Sequence, residues 1–266
     1  MTTELELNMP SETGLPNLNK VPEVTALFWI IKVMSTTVGE TGADYLAVHV
    51  GLGTAITGAI MVTLLVAALV MQFRSPRCVP WIYWLTVVLV SVVGTQITDL
   101  LTDRLDVSLY VSTAVFAEIL AAIFAVWYGM ERTLSIRTVV TIRREVFYWA
   151  AILFTFALGT AAGDLATEAL GLGFKLGVVV FGLLLAMIFV AYHLGANTVL
   201  TFWLAYILTR PLGASLGDLL SQARGYGGLG FGTSLTSIAF LVVIIALVAF
   251  LTFDRGAGAP SSRVKT

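Results

Sequence analysis

Four aspartates in this sequence are set out with a ruler. Asp44, Asp99, Asp164 and Asp218 each follow a glycine by five residues. Those glycines, Gly39, Gly94, Gly159 and Gly213, each follow a tryptophan by ten. The tryptophans are Trp29, Trp84, Trp149 and Trp203, and an aromatic residue stands just before each: Phe28, Tyr83, Tyr148 and Phe202. The surrounding segments are strongly apolar. A charged residue at the centre of a membrane helix costs roughly 2.5–3.5 kcal/mol on insertion scales, so four acids at one repeated position call for a reason. One reason is chemical: carboxylates in an apolar setting bind cations or carry protons. The other is structural: each Asp caps the outer end of its helix or hydrogen-bonds to a neighbouring repeat.

The first repeat adds Glu40, four residues before Asp44 and therefore on the same helix face. The two carboxylates repel, which favours a proton on one of them that can be exchanged for a cation. Glu40 and Asp44 are thus the expected main ion site and the expected metal ligands. Asp99, Asp164 and Asp218 would complete an oxygen shell or orient it. Glu118 is a further acid inside an apolar segment. Lys32 and Arg210 are the two bases in such segments, expected as counter-ions, with snorkelling to the interface as the alternative for Lys32. Pro211, next to Arg210, is expected to kink its helix. Six acids against two bases favour a cation or protons inside the bundle over an anion. Asp103, Asp106 and Glu168 fall just beyond the acid level and read as solvated charge near the outer mouth.

The rest of the composition fixes the setting. Hydrophobic residues make up 58% of the 266 and charged residues only 12%, against about 25% charged in soluble domains. Such a chain needs lipid as its solvent. The net charge of -1 gives no reason to expect nucleic acid as a partner. Cys78 is the single cysteine, which rules out an intrachain disulfide and a thiolate metal site. The two histidines, His49 and His193, fall at opposite ends of the expected topology, so a metal would be held by oxygens, as suits Mg, Mn or Ca. There is no P-loop and no hydrolytic motif. Neither an enzyme nor a cofactor is expected.

Apolar stretches of about 20 residues, the length that spans a bilayer, occur at 24–46, 54–73, 80–102, 108–130, 146–168, 174–194, 198–221 and 231–253. The expected fold is therefore an all-α transmembrane bundle of eight helices. Residues 1–22 and 254–266 read as cytoplasmic tails, and residues 23–253 as one membrane domain. Lys20, Arg74, Arg77, Arg132, Arg137, Arg143, Arg144, Arg255, Arg263 and Lys265 lie on one side, and only Arg104, Lys175 and Arg224 on the other. That bias places both termini in the cytoplasm.

The ruler recurs on every odd helix, so the chain divides into repeats of about 24–73, 80–130, 146–194 and 198–253. Each has two helices, so all four enter the membrane in the same direction, as parallel repeats. Gly-Leu-Gly precedes the second helix in three of them (51–53, 171–173, 228–230), and the second repeat has Asp106-Val-Ser instead. Over roughly residues 20–253 the chain resembles a family of uncharacterised bacterial membrane proteins built from four tandem two-helix repeats of unknown function, each with a characteristic Trp. The resemblance implies the architecture and an inner-membrane location, and little biochemistry.

Fifteen helical residues rise about 22 Å, so each Trp falls near the cytoplasmic interface and each Asp deep toward the outer half. The Trp residues read as an interfacial aromatic belt, or else as a gate. The glycines read as points of close helix approach, or else as helix breaks that turn carbonyls into a cavity. The functional expectation is a transporter or exporter of a small cation, such as Mn, coupled to protons. The alternatives are a passive cation channel and a non-transporting membrane scaffold whose Asp residues only tie helices together. Odd helices should lie inside and even helices nearer lipid.

Overall fold

The computed structural model describes residues 19–49 and 54–257. Most of both tails, the first Gly-Leu-Gly and the side chain of His49 lie outside the described residues. The described chain is all helical, with α1 (Ala26–His49), α2 (Thr54–Arg74), α3 (Pro80–Asp99), α4 (Leu109–Glu131), α5 (Ile142–Asp164), α6 (Gly173–His193), α7 (Thr198–Ser221) and α8 (Thr233–Ala257). Local chemistry explains several starts. Pro80 opens α3, where its missing N–H costs nothing. Ser108, Thr141 and Asn197 cap α4, α5 and α7 by accepting from backbone N–H groups of the first turn. The Thr141 cap starts α5 four residues earlier than hydropathy indicates. After Asp99 and after Asp164 the backbone widens into a π-helical turn, Leu100–Arg104 and Leu165–Ala169.

Among the described residues, seven of the eight helices are long and apolar enough to cross a membrane. The exception is α1, which carries Lys32, Glu40 and Asp44. Its packing accounts for this: α3, α7 and α8 enclose it, so it needs no apolar outer surface.

The inner helices form a ring in which α1 meets α3, α3 meets α5, α5 meets α7, and α7 meets α1 again. Each outer helix packs on the odd helix of the following repeat: α2 on α3, α4 on α5, α6 on α7, and α8 back on α1. Between 56% and 61% of residues in the apolar stretches of α3, α5 and α7 are buried, against 11–22% in α2, α4, α6 and α8. Odd helices are inside and even helices outside.

The ruler glycines set the ring's tightness. A Cβ at Gly39 would overlap Ser91, one at Gly94 would meet Phe156, one at Gly159 would meet Arg210, and one at Gly213 would overlap Thr36. In each case the obstacle lies seven residues after the Trp of the next repeat in the ring. The helices run unbroken through all four glycines, which are therefore points of close approach rather than breaks.

Residues 19–22 depart from the reading as a loose tail. Lys20 and Val21 are buried. Lys20 pairs with Glu145 at 2.6 Å and also donates to the Phe73 carbonyl. Gln72 donates to the second oxygen of Glu145. A buried cation needs such partners, and Lys20 is consequently not a solvated loop charge.

Candidate functional site: a charged centre on the axis of the inner ring

Arg210, from α7, is fully buried. Its Nη2 donates to Glu40 Oε2 on α1 at 2.6 Å and to the Thr95 hydroxyl on α3. Its Nη1 donates to the Thr36 carbonyl at 3.3 Å. The Phe156 ring of α5 lies 6.0 Å from its Cζ. The guanidinium thus reaches all three other inner helices, including α3, which stands opposite α7 in the ring. That places it on the axis. Pro211 does not interrupt α7; its ring is received by Gly159 and Gly163 of α5.

Lys32 is also fully buried on the axis. Its Nζ sits 3.6 Å from the Phe156 ring centroid and 4.0 Å from that of Tyr206, and it makes no hydrogen bond. Snorkelling does not occur, and no carboxylate pairs with Lys32 among the described residues. Two aromatic faces, Phe156 and Tyr206, hold its amino group instead.

The end of the ring beyond this centre is acidic. Asp218 is buried, and Asp44, Asp99 and Asp164 are half-buried. All four interact electrostatically with both Glu40 and Arg210. They also sense one another: Asp99 and Asp218 with Asp44, and Asp164 with Asp218. Asp99 and Asp164 stand where α3 and α5 give way to π-turns, yet neither makes a capping hydrogen bond. Among the described residues no ion pair reaches any of the four.

The opposite end is closed by rings. Trp84, Trp149 and Trp203 are buried, as are Phe28, Tyr83, Tyr148 and Phe202. Phe28 packs on Trp84 at 5.3 Å, Tyr83 on Trp149 at 5.5 Å, Tyr148 on Trp203 at 6.1 Å, and Phe202 on Trp29 at 5.7 Å. Each repeat's first aromatic residue therefore stacks on the next repeat's Trp. Tyr83 and Tyr148 share a 2.6 Å hydrogen bond. The belt reading is corrected here: these tryptophans fill the interior. The outward-facing aromatic residues near helix ends are others, among them Trp81, Tyr110, Tyr128 and Phe253.

One further expectation changes. Glu118 lies on the exposed face of α4, away from the inner ring, because even helices bury only a narrow stripe. Glu40 is bonded to Arg210, and among the described residues no group of three or more His, Cys, Asp or Glu side chains is placed to hold a metal. The sequence reading missed Thr95, Phe156 and Tyr206 at the centre and Glu145 with Gln72 at the Trp end. The ruler held the missing signal. Arg210 and Phe156 both lie seven residues after their Trp, and Glu40 and Thr95 both lie eleven after theirs.

These features define a membrane-embedded eight-helix bundle with buried charged residues and buried ion pairs. Residues 27–77, 82–133, 147–197 and 201–257 each match the family described as Repeat of Unknown Function (DUF347), and the chain belongs to that family, with one ruler Trp in each copy. No curated protein and no solved structure matches the chain.

Proposed function

We propose that the protein carries a small cation across the membrane, in exchange with protons, through the carboxylates at the acidic end of the inner ring. One observation carries this reading: four repeats contribute one Asp each to a region shared with Glu40, and the buried Arg210 is tethered to that region through Glu40. Arg210 compensates Glu40 in the conformation described. A cation drawn in by the four Asp competes for Glu40, and the guanidinium must then release it. Beyond that point the Arg210 charge and the packed aromatic layer oppose passage. The conformation described is thus closed at its Trp end.

The absence of a three-ligand group among the described residues favours a proton or a hydrated ion over a dehydrated metal in this conformation, and a Mn-type ion would require Glu40 to leave Arg210. The Lys and Arg bias supports the Trp end as cytoplasmic. That Asp99 and Asp164 make no capping hydrogen bond weighs against the scaffold reading.

The test is flux in proteoliposomes, with protons, Na, K, Mg and Mn as the probes. Glu40→Gln and Asp44→Asn are expected to abolish flux while the protein remains monodisperse on size-exclusion chromatography. Asp164→Asn and Asp218→Asn are expected to slow it less. Normal flux in Glu40→Gln, or no flux of any probe in the parent protein, would overturn the proposal and leave the scaffold.

A further inference from the structure

The repeats allow one part of the molecule to be compared with another at a matching position, and there a difference stands out. Trp203 is covered by two rings from α4: Phe124 at 4.9 Å and Trp127 at 5.8 Å. Shifted by the 65 residues that separate Trp84 from Trp149, these positions become Phe189 and Tyr192 on α6. By the cyclic order of the bundle, Phe189 and Tyr192 should cover Trp29 as Phe124 and Trp127 cover Trp203. They do not close on it. Trp29 is the one ruler Trp that remains partly exposed. A cavity of about 310 Å³ lies here, with Trp29, Phe202, Phe189 and Tyr192 among its walls. That is the size range of small-molecule sites.

The corresponding volume in the sister position holds the Trp127 indole, which is fully buried and stacked on Phe147 at 6.2 Å. The shape that fits the Trp29 cavity is therefore a flat ring system. Its charge is set by Arg137, which also lines the cavity. Nearby Arg143 and Arg144 are neutralised by Glu131, but no carboxylate pairs with Arg137 among the described residues. A guanidinium beside aromatic walls suits a planar anion.

We infer that the cavity beside Trp29 is a binding site for a small, flat, apolar molecule bearing an anionic group. The ring system takes the place that Trp127 fills against Trp203, and the anion meets Arg137. This site is separate from the axial charges and does not depend on the transport reading.

The probe is 8-anilino-1-naphthalenesulfonate, titrated into the full-length protein in nanodiscs, with empty nanodiscs as the blank. One saturable site per chain is expected. Arg137→Gln is expected to weaken it at least about tenfold, the usual loss for a charged hydrogen bond. Thr198→Trp, an exposed position on the rim, is expected to abolish it. The unsulfonated probe N-phenyl-1-naphthylamine should bind at least as weakly to the parent protein as the sulfonated probe binds to Arg137→Gln. Thermal melts establish that both variants fold. Binding that both variants leave unchanged overturns the proposal. So does a tightly held phospholipid, found by native mass spectrometry in the parent protein and lost in Thr198→Trp, because the cavity is then a lipid groove.

Discussion

The seam between α1 and α7 and the seam between α3 and α5 are built to the same ruler but hold different contents. Each has its Gly approach, its stacked aromatic residues and its pair of Asp. At the first seam the positions three, seven and eleven residues after Trp supply Lys32, Arg210 and Glu40; at the second they supply Val87 and Ile152, Ser91 and Phe156, and Thr95 and Thr160. The shared residues make the ring. The unshared ones make its chemistry, and they are concentrated where the last repeat closes on the first. A fold made by repetition can place a single charged group on its axis only by breaking the repetition at one seam.

The strongest test of that contrast removes the axial charges singly and together. Glu40→Gln or Arg210→Gln leaves one buried charge unpaired and is expected to cost about 3–5 kcal/mol. The double variant should recover most of that loss, because no lone charge remains. Thr160→Ala at the other seam should cost far less. Thermal unfolding in detergent measures all four. A double variant as unstable as the worse single one would mean that the pair does not act as a unit.

A smaller effect, equal at both seams, is expected from the glycines. At Gly159 a Cβ would lie 2.5 Å from that of Arg210, and at Gly94 it would lie 2.7 Å from that of Phe156. Gly94→Val and Gly159→Val should each destabilise by about 1–3 kcal/mol through overpacking. A harmless substitution at either site, judged by the yield of monodisperse protein, would show that the ring is looser than described. Smaller still is the Tyr83–Tyr148 hydrogen bond, where Tyr148→Phe should cost about 1 kcal/mol. Glu118→Leu should change neither flux nor stability for the worse, since that carboxylate faces away from the ring; a loss of flux would return it to the ion path.

The architecture was readable because periodic features carry it. Trp, Gly and Asp at fixed intervals on one helix face dictate which helices turn inward, and hydropathy supplies their lengths. The ring order and the packing of each outer helix on the next repeat were not readable, because no single repeat contains either relation. The same limit hid the Arg210–Glu40 pair, whose members lie 170 positions apart. Both residues were visible as charges in apolar segments, and what was missing was that helices α7 and α1 are neighbours. The Trp residues misled for a different reason. Distance along a helix places a residue at interface depth, but whether it faces lipid or the interior depends on the neighbours that cover it.

The closing contacts of the ring also set the order in which the chain can be completed in the membrane. Its first helix, α1, is the least suited to lipid and depends on α7 and α8 for cover. Glu40 emerges from the ribosome 170 residues before Arg210, an interval of roughly ten to thirty seconds at ordinary elongation rates. For that time α1 has neither its counter-ion nor its outer wall. The helix that carries Lys32 and Glu40 is made well before the helices that enclose it, so it must wait, held by the insertion machinery or exposed at the bilayer surface, until α7 and α8 deliver its partners.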